Sequence, residues 1–218
     1  MTKLAVCYPW SSPFVFTAFV DSALNIRDPE DYEVLWIRGT GWCQARAHND
    51  FMEKALVWGA DLICMLSADQ TYDPDVLERL MARHLGGCEV VGGLVPIRED
   101  FEENHVGERL AWRIENGVAE KIDPQAAPLQ RVDFLGSGLV LFPAGLLEKV
   151  SKPWMAYEIT GDNWQRKANA DTGFFWRLQT EAGAKAWVDT TIKVKHCHVS
   201  EIDAPMRSKE VHFEHFRA

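Results

Sequence analysis

The first 95 residues alternate apolar, strand-like segments with segments of helical periodicity, and this alternation is the feature that most constrains the fold. Strands are predicted at 3–8, 32–37, 61–66 and 89–93, and helices at 14–26, 45–58 and 74–84. Repeated strand–helix–strand units favour right-handed crossovers and parallel strands. Segment 61–66 is apolar on both faces, which is typical of a central parallel strand. We therefore predict an α/β fold with a mostly parallel sheet flanked by helices.

The pattern changes beyond about residue 96, where the chain becomes more polar. Short strands are predicted at 110–114, 186–188 and 192–196, a glycine-punctuated strand at 134–142 and a helix at 171–181. No linker-like segment divides the chain, so we predict a single domain over residues 1–218. Its parts are a first half (1–95), a second half (96–199) and a polar C-terminal tail (200–218).

Charge and composition exclude several classes of protein. The net charge of −9 argues against a broad nucleic-acid interface. No apolar run reaches the ~18 residues that cross a bilayer, and the N-terminus has the pattern of a strand rather than of a signal peptide. The five cysteines are scattered without zinc-like spacing, as expected for buried thiols in a reducing cytoplasm. We therefore expect a soluble, cytoplasmic protein without a membrane partner.

Three predicted strand ends carry residues suited to binding a ligand. Ligands of open α/β sheets bind at the carboxyl ends of the strands, which here are the segments 8–12, 37–39 and 66–70. In the last of these, the buried strand ends at a carboxylate, Asp69. Asp69 either caps the following turn or holds a divalent ion that neutralises the phosphates of a nucleotide. Position alone leaves both alternatives open.

The order and spacing of several motifs resemble family 2-like GT-A glycosyltransferases. In the first half these are Ala45-Arg46-Ala47-His48-Asn49, the strand ending in Ser67-Ala68-Asp69, and Pro74-Asp75-Val76-Leu77. In the second half they are Phe134-Leu135-Gly136-Ser137-Gly138, Pro153-Trp154, Ala170-Asp171 and the closing strand with His196. The resemblance spans the chain to about Val199. Two positions depart from the family pattern, since Ser67 and Ala170 stand where acidic residues are usual.

The resemblance implies a GT-A fold, which is a Rossmann-like nucleotide-binding domain with a small mixed acceptor-side portion. It implies that residues 1–95 bind a nucleotide sugar and that 96–199 bind the acceptor and carry catalysis. Asp171 is then the general base that takes the proton of the acceptor hydroxyl, although it is also placed to cap its helix. Asp69 is then a ligand of Mn²⁺ or Mg²⁺, together with His196 or His198.

The resemblance and the strand ends also imply residues for each substrate. Pro9, Trp10 and Ser11 lie where the base of the donor is expected, unless Trp10 is a core residue. Arg46 either contacts the nucleotide or its phosphate, or forms a surface ion pair. Trp154 either stacks on a sugar or packs in the core. The remaining candidates are Ser67, Ala68 and Asp69 for the donor, and Gly136, Ser137 and Gly138 for the acceptor.

These observations predict the metal-dependent transfer of a sugar from a UDP- or GDP-sugar to an acceptor hydroxyl. The acceptor is open between a glycan, a small molecule, a protein and a hydroxylated nucleic-acid base, and so is the stereochemical outcome. The missing carboxylates at Ser67 and Ala170 leave a catalytically weak nucleotide- or sugar-binding protein as an alternative. A nucleotidyltransferase is a third possibility, but it calls for a glycine-rich, basic loop after the first strand, and residues 8–13 are not of that kind.

Overall fold

The computed structural model describes residues 1–10, 15–96, 111–115, 118–160, 165–168 and 170–197, with backbone only at 158–160 and 165–168. The helices are α1 (Thr17–Asn25), α2 (Gln44–Trp58), α3 (Val76–Leu85), α4 (Ala170–Thr180) and a 3₁₀ helix (Ala144–Lys149). The strands are β1 (Thr2–Trp10), β2 (Tyr32–Thr40), β3 (Leu62–Leu66), β4 (Gln70–Thr71), β5 (Val90–Leu94), β6 (Ala111–Glu115), β7 (Val118–Lys121), β8 (Leu129–Val132), β9 (Phe134–Leu135), β10 (Leu139–Pro143), β11 (Glu158–Thr160), β12 (Gln165–Ala168), β13 (Ala186–Lys193) and β14 (Lys195–His196). None of the helices in these ranges is long and apolar enough to cross a bilayer.

A seven-stranded sheet in the order β2-β1-β3-β10-β5-β13-β8 forms the centre of the molecule. Strand β1 pairs in parallel with β2 and β3, and β13 pairs in parallel with β5. Strand β10 is antiparallel to both β3 and β5, and β8 is an antiparallel edge strand. The predicted mostly parallel sheet is confirmed, with a Rossmann-like arrangement.

Helices cover both faces of this sheet, because alternate residues of each strand point to opposite faces. Ala5 of β1 belongs to one core cluster together with Phe51 of α2 and Phe174 of α4. Its neighbour Leu4 belongs to the other cluster, together with Leu80 of α3. The sheet therefore separates two apolar layers, and the polar carboxyl ends of the strands lie at its edge.

At two positions the backbone conformation or a close backbone contact favours glycine over other residues. Gly59 ends α2 in the left-handed conformation with φ 77°, as predicted for this helix end. At Gly39 of β2, a Cβ would lie 2.0 Å from the Ala47 carbonyl oxygen, so the close approach of α2 to β2 requires glycine.

The second half of the chain differs from prediction in several elements. The predicted strand 134–142 is two strands, because the chain leaves the small sheet β7-β6-β9 at Leu135 and enters the central sheet at Leu139. The two strands predicted at 186–188 and 192–196 are the longer β13 followed by β14. Strand β8 was not predicted, since its sequence LQRV is short and half polar.

Candidate functional site

The turn after β3 is held by a buried tyrosine. The Tyr72 hydroxyl accepts a hydrogen bond from the Ser67 amide at 2.7 Å, and the carbonyl oxygens of Ser67 and Gly138 each lie 2.9 Å from it. The Ser67 amide also lies 3.1 Å from the Gly138 carbonyl oxygen. This network joins the turn to the start of β10. It therefore holds Ser67, a candidate for donor binding, against Gly138, a candidate for acceptor binding.

Ser67 orients the carboxylate two residues further on. Its hydroxyl donates to Asp69 Oδ1 at 2.5 Å. A serine at this position therefore removes one negative charge from the turn, compared with the family pattern, but supplies a hydrogen bond that holds the remaining carboxylate.

Strand β14 brings His196 beside the turn that carries Asp69, and the predicted sharing of a metal ion by the two side chains stays a prediction. Strand β14 pairs antiparallel with β4, which places His196 opposite Gln70. The amide of Cys197 donates to the Asp69 carbonyl oxygen at 2.7 Å. The Gln70 amide nitrogen lies 3.0 Å from His196 Nε2. Residues 126 positions apart in the sequence thus meet beside the β3 turn.

Gly138 lies against the side chain of Gln70. A Cβ at Gly138 would lie 2.5 Å from the amide nitrogen and oxygen of Gln70. Glycine is therefore the residue that lets β10 approach the turn while Gln70 keeps its contact with His196.

Asp171 lies in the first turn of α4, on the opposite side of the site. Its Oδ1 accepts a hydrogen bond from the Thr172 amide at 2.9 Å. Burial raises the pKa of the Asp171 carboxyl above its ordinary value, although hydrogen bonds from the backbone, including that of Ser137, act in the opposite direction. A carboxyl with a raised pKa is a better base once it is ionised.

A cavity of about 270 Å³ connects these groups. Six residues predicted from the sequence line it, and they are Ser67, Asp69, Ser137, Gly138, Asp171 and His196. The lining also includes Gln44, His48, Gln70, Val95, Met155, Tyr157 and Ala170. Candidates from both halves of the chain therefore surround one space.

Other candidates lie away from this cavity or outside the described residues. Trp10 ends β1, and the guanidinium of Arg38 lies 5.0 Å from the centre of its ring. Pro9 is buried next to it. Arg46 is exposed and lines a separate groove of about 650 Å³ along α2. Ser11 and His198 belong to the residues that are not described.

Three further candidates have mainly structural surroundings. Trp154 is 1% exposed, and its Nε1 donates to the Leu147 carbonyl oxygen at 2.9 Å, which agrees with the packing alternative. Ala68 packs against the core cluster on the α3 face of the sheet. Gly136 is buried in the connection between β9 and β10.

His48, Gln70 and Tyr72 were not predicted as site residues from the sequence. Their signals were weak but present: His48 lies one helical turn after Gln44, and Gln70 and Tyr72 follow the Asp69 turn directly. Asn49 supports this wall of the site, because its side chain bonds both the amide and the carbonyl of Met155 at 3.1 and 2.7 Å.

The donor set for a metal ion is sparse. Within the described ranges, no group of three or more His, Cys, Asp and Glu side chains is placed to hold a metal ion. Asp69 and His196 are the two candidate ligands, and an ion at His196 Nε2 would have to displace the Gln70 amide. This set fits a divalent ion only if phosphate and water oxygens complete its coordination.

Comparisons with known proteins identify the fold but no family. No protein-family model matches the chain, and no curated protein matches it. Among solved structures, "A197 from STIV" is similar, with 15% sequence identity, a TM-score of 0.60, and 91% of this chain and 86% of that chain covered. This likeness extends over nearly the whole chain and shows that the fold is a known one.

Two enzymes are similar over smaller parts. A 4-diphosphocytidyl-2C-methyl-D-erythritol synthase has 16% identity and a TM-score of 0.41, with 67% of this chain and 78% of that chain covered. A UDP-glucose pyrophosphorylase from "acinetobacter baumanii" has 10% identity and a TM-score of 0.46, with 78% of this chain and 57% of that chain covered.

Proposed function

We propose that this protein is a glycosyltransferase that moves a sugar from a UDP- or GDP-sugar to an acceptor hydroxyl with the help of Mn²⁺ or Mg²⁺. The observation that supports this most is the single cavity lined by Asp69, His196 and Asp171. These residues come from the three motifs that the family resemblance assigns to the metal and the base. A fold that unites them at the carboxyl ends of parallel strands suits such a reaction.

Asp171 is the proposed general base. Its carboxylate accepts the proton of the acceptor hydroxyl as that oxygen forms a bond to the anomeric carbon. The bond between that carbon and the phosphate oxygen breaks, and its electron pair leaves with the nucleoside diphosphate. The raised pKa of Asp171 brings its basicity closer to what a base near neutral pH needs.

Asp69 and His196 are the proposed metal ligands, and His198 is an additional candidate. A divalent ion bound there supplies positive charge to the diphosphate leaving group. The bond from Ser67 keeps Asp69 in place for this role. At the ends of β1 and β2, Trp10 with the neighbouring Arg38 is the proposed platform for the base, together with Pro9 and Ser11.

The remaining predicted contacts stay part of the proposal. Ala68 and Ser67 lie beside Asp69 on the donor side, and Gly136, Ser137 and Gly138 face the acceptor. Arg46 is proposed to reach the nucleotide from α2, and Trp154 to shape the acceptor wall from within the core. The acceptor is proposed to be a glycan, a small molecule, a protein or a hydroxylated base.

The test is a panel of nucleotide sugars incubated with the protein and Mn²⁺, with release of nucleoside diphosphate as the measurement. We expect release with at least one donor. Asp171→Asn should lower turnover about 100-fold or more while donor affinity, measured by calorimetry, stays within a few-fold. Asp21→Asn, on the exposed side of α1, is the matched control and should retain wild-type turnover.

Other outcomes identify the alternatives. Pyrophosphate release from a nucleoside triphosphate and a sugar phosphate would assign the protein to the nucleotidyltransferases. Binding of nucleotide sugars without turnover would identify a binding protein. Wild-type turnover in Asp171→Asn would exclude Asp171 as the base.

A further inference from the structure

His48 is the most buried ionisable side chain on the cavity wall formed by α2. It is 2% exposed, and its ring packs on Phe51 with ring centres 5.0 Å apart. Gln44 lies one helical turn earlier and lines the same cavity. The imidazole is therefore held rigidly at the boundary between the core and the cavity.

The hydrogen bond of His48 determines which of its nitrogens carries the proton. Nδ1 lies 2.8 Å from the Gln44 carbonyl oxygen. A carbonyl oxygen only accepts hydrogen bonds, so Nδ1 is the donor and carries hydrogen. Burial lowers the pKa of His48 to about 4, so the ring is neutral at neutral pH and its Nε2 is an acceptor.

The acceptor at Nε2 has no protein partner in the part of the chain that is described. The contacts of His48 there are the bond to Gln44 and the packing on Phe51. The side chain is otherwise buried and lines the cavity, so this nitrogen is open to a ligand or to water. A neutral acceptor that cannot donate at this nitrogen selects a hydroxyl or N–H group over a carboxylate or phosphate oxygen.

We propose that His48 binds substrate, and that its Nε2 accepts a hydrogen bond from a hydroxyl group in the cavity lined by Asp171. The proposal rests on the proposed function, because sugar donors and their acceptors both carry such hydroxyls. It makes His48 a specificity-determining residue: a ligand without that hydroxyl forms one hydrogen bond fewer in the cavity and binds more weakly. The hydroxyl belongs either to the donor sugar or to the acceptor.

The experiment compares His48→Phe with His48→Gln in full-length protein. Phenylalanine keeps the ring packing and removes both nitrogens, whereas glutamine restores an acceptor near the position of Nε2. We use the nucleotide sugar that the wild type turns over, with Mn²⁺, and measure kcat and KM for donor and acceptor. Calorimetry with the same nucleotide sugar and with its nucleoside diphosphate alone provides affinities that do not depend on turnover.

If the hydroxyl belongs to the donor sugar, His48→Phe should weaken binding of the nucleotide sugar at least tenfold and leave binding of the nucleoside diphosphate unchanged. If the hydroxyl belongs to the acceptor, His48→Phe should instead raise the KM for the acceptor by a similar factor and leave the affinity for the donor unchanged. In both cases His48→Gln should recover most of the loss, which a purely structural role would not produce.

If His48→Phe does not fold, the ¹⁵N resonance of His48 Nε2 is measured in the wild type instead. We expect this resonance to shift when the substrate that carries the hydroxyl binds. An active wild type whose His48 variants, or whose Nε2 resonance, do not respond to either substrate overturns the His48 proposal alone. A wild type that neither binds nor turns over any nucleotide sugar overturns the proposed function and this inference with it.

Discussion

Asp171 is the proposed general base, and its ionised carboxylate makes an unfavourable contribution to the stability of the fold. Its carboxyl is partly buried and has a raised pKa, so ionisation is harder in the folded state than in the unfolded chain. A group with a raised folded pKa contributes stability below its unfolded pKa of about 3.9, and loses that contribution as pH rises through the folded pKa. At neutral pH the ionised carboxylate therefore weakens the fold.

Asp171→Asn should consequently be inactive and more stable. We expect its melting temperature to exceed that of the wild type at pH 7 and the difference to shrink as pH falls through the folded pKa of Asp171, because the wild-type carboxyl then becomes protonated. Differential scanning calorimetry across this range measures it. A variant that is less stable at pH 7 would show that the hydrogen bonds of the carboxylate outweigh its burial.

The sequence could predict Asp69, Asp171 and His196 because each lies in a motif with a recognisable order. It could not predict His48, since a histidine on an apolar helix face is equally well a core residue until the opposite wall is known. Tyr72 was missed for a similar reason. Its hydroxyl reaches back to Ser67 and across to Gly138, and the second contact depends on a strand that is 66 residues away.

Among the secondary-structure elements, β10 matters most for the site, and its neighbours in the sheet were not predicted. It inserts antiparallel between β3 and β5, far apart from them in the chain. Hydrophobic periodicity predicts strands but does not give their neighbours or direction. The strands of residues 1–95 were predictable from their apolar runs, and β1 and β2 are each followed by a helix, whereas β10 is preceded by the small sheet at β9.

Gly138→Ala tests the contact between β10 and the β3 turn. The added methyl would collide with the Gln70 amide, which must move away from His196. We expect a loss of about 1–3 kcal/mol in the free energy of unfolding, measured by urea denaturation, together with altered affinity for Mn²⁺. Gly145→Ala is the control, because a Cβ there meets no atom within 4 Å. Equal stability of the two variants would contradict the tight contact.

Tyr72→Phe tests the network under the turn. Without the hydroxyl, the carbonyl oxygens of Ser67 and Gly138 lose a buried donor, and we expect a loss of about 1–3 kcal/mol in the free energy of unfolding. Tyr32→Phe is a suitable control, because its hydroxyl bonds to none of the described residues. If Tyr72→Phe keeps full stability, water replaces the hydroxyl in the network.

At the scale of the whole molecule, the site forms where the two halves of the chain meet. The first half supplies β3 and α2, and the second half supplies β10, α4 and β14. His48 of the first half therefore lines a cavity that the second half completes. Its burial links the stability of the whole fold to pH.

The contribution of His48 to the stability of the protein should decrease as pH is lowered from about 6.5 to about 4, whereas protonation of Asp171 acts in the opposite direction. His48 has a folded pKa of about 4, below its unfolded value, so the unfolded chain binds more protons in this range. The contribution of His48 is complete above its unfolded pKa and is lost as pH falls towards the folded pKa, by about 3 kcal/mol in total.

Urea denaturation of wild type and His48→Phe between pH 4 and 7 isolates this contribution, because the variant has no imidazole to protonate. Hydrogen bonds from Thr191 and Arg83 lower the pKa of the Asp189 carboxyl despite its burial. Asp189 therefore changes the stability of the protein at more acidic pH, below the ordinary range of an aspartate. The two groups thus act in different pH windows. A parallel decline of both proteins between pH 6.5 and 4 would mean that His48 becomes protonated in the fold, and that the Nδ1 bond to Gln44, rather than burial, governs its charge.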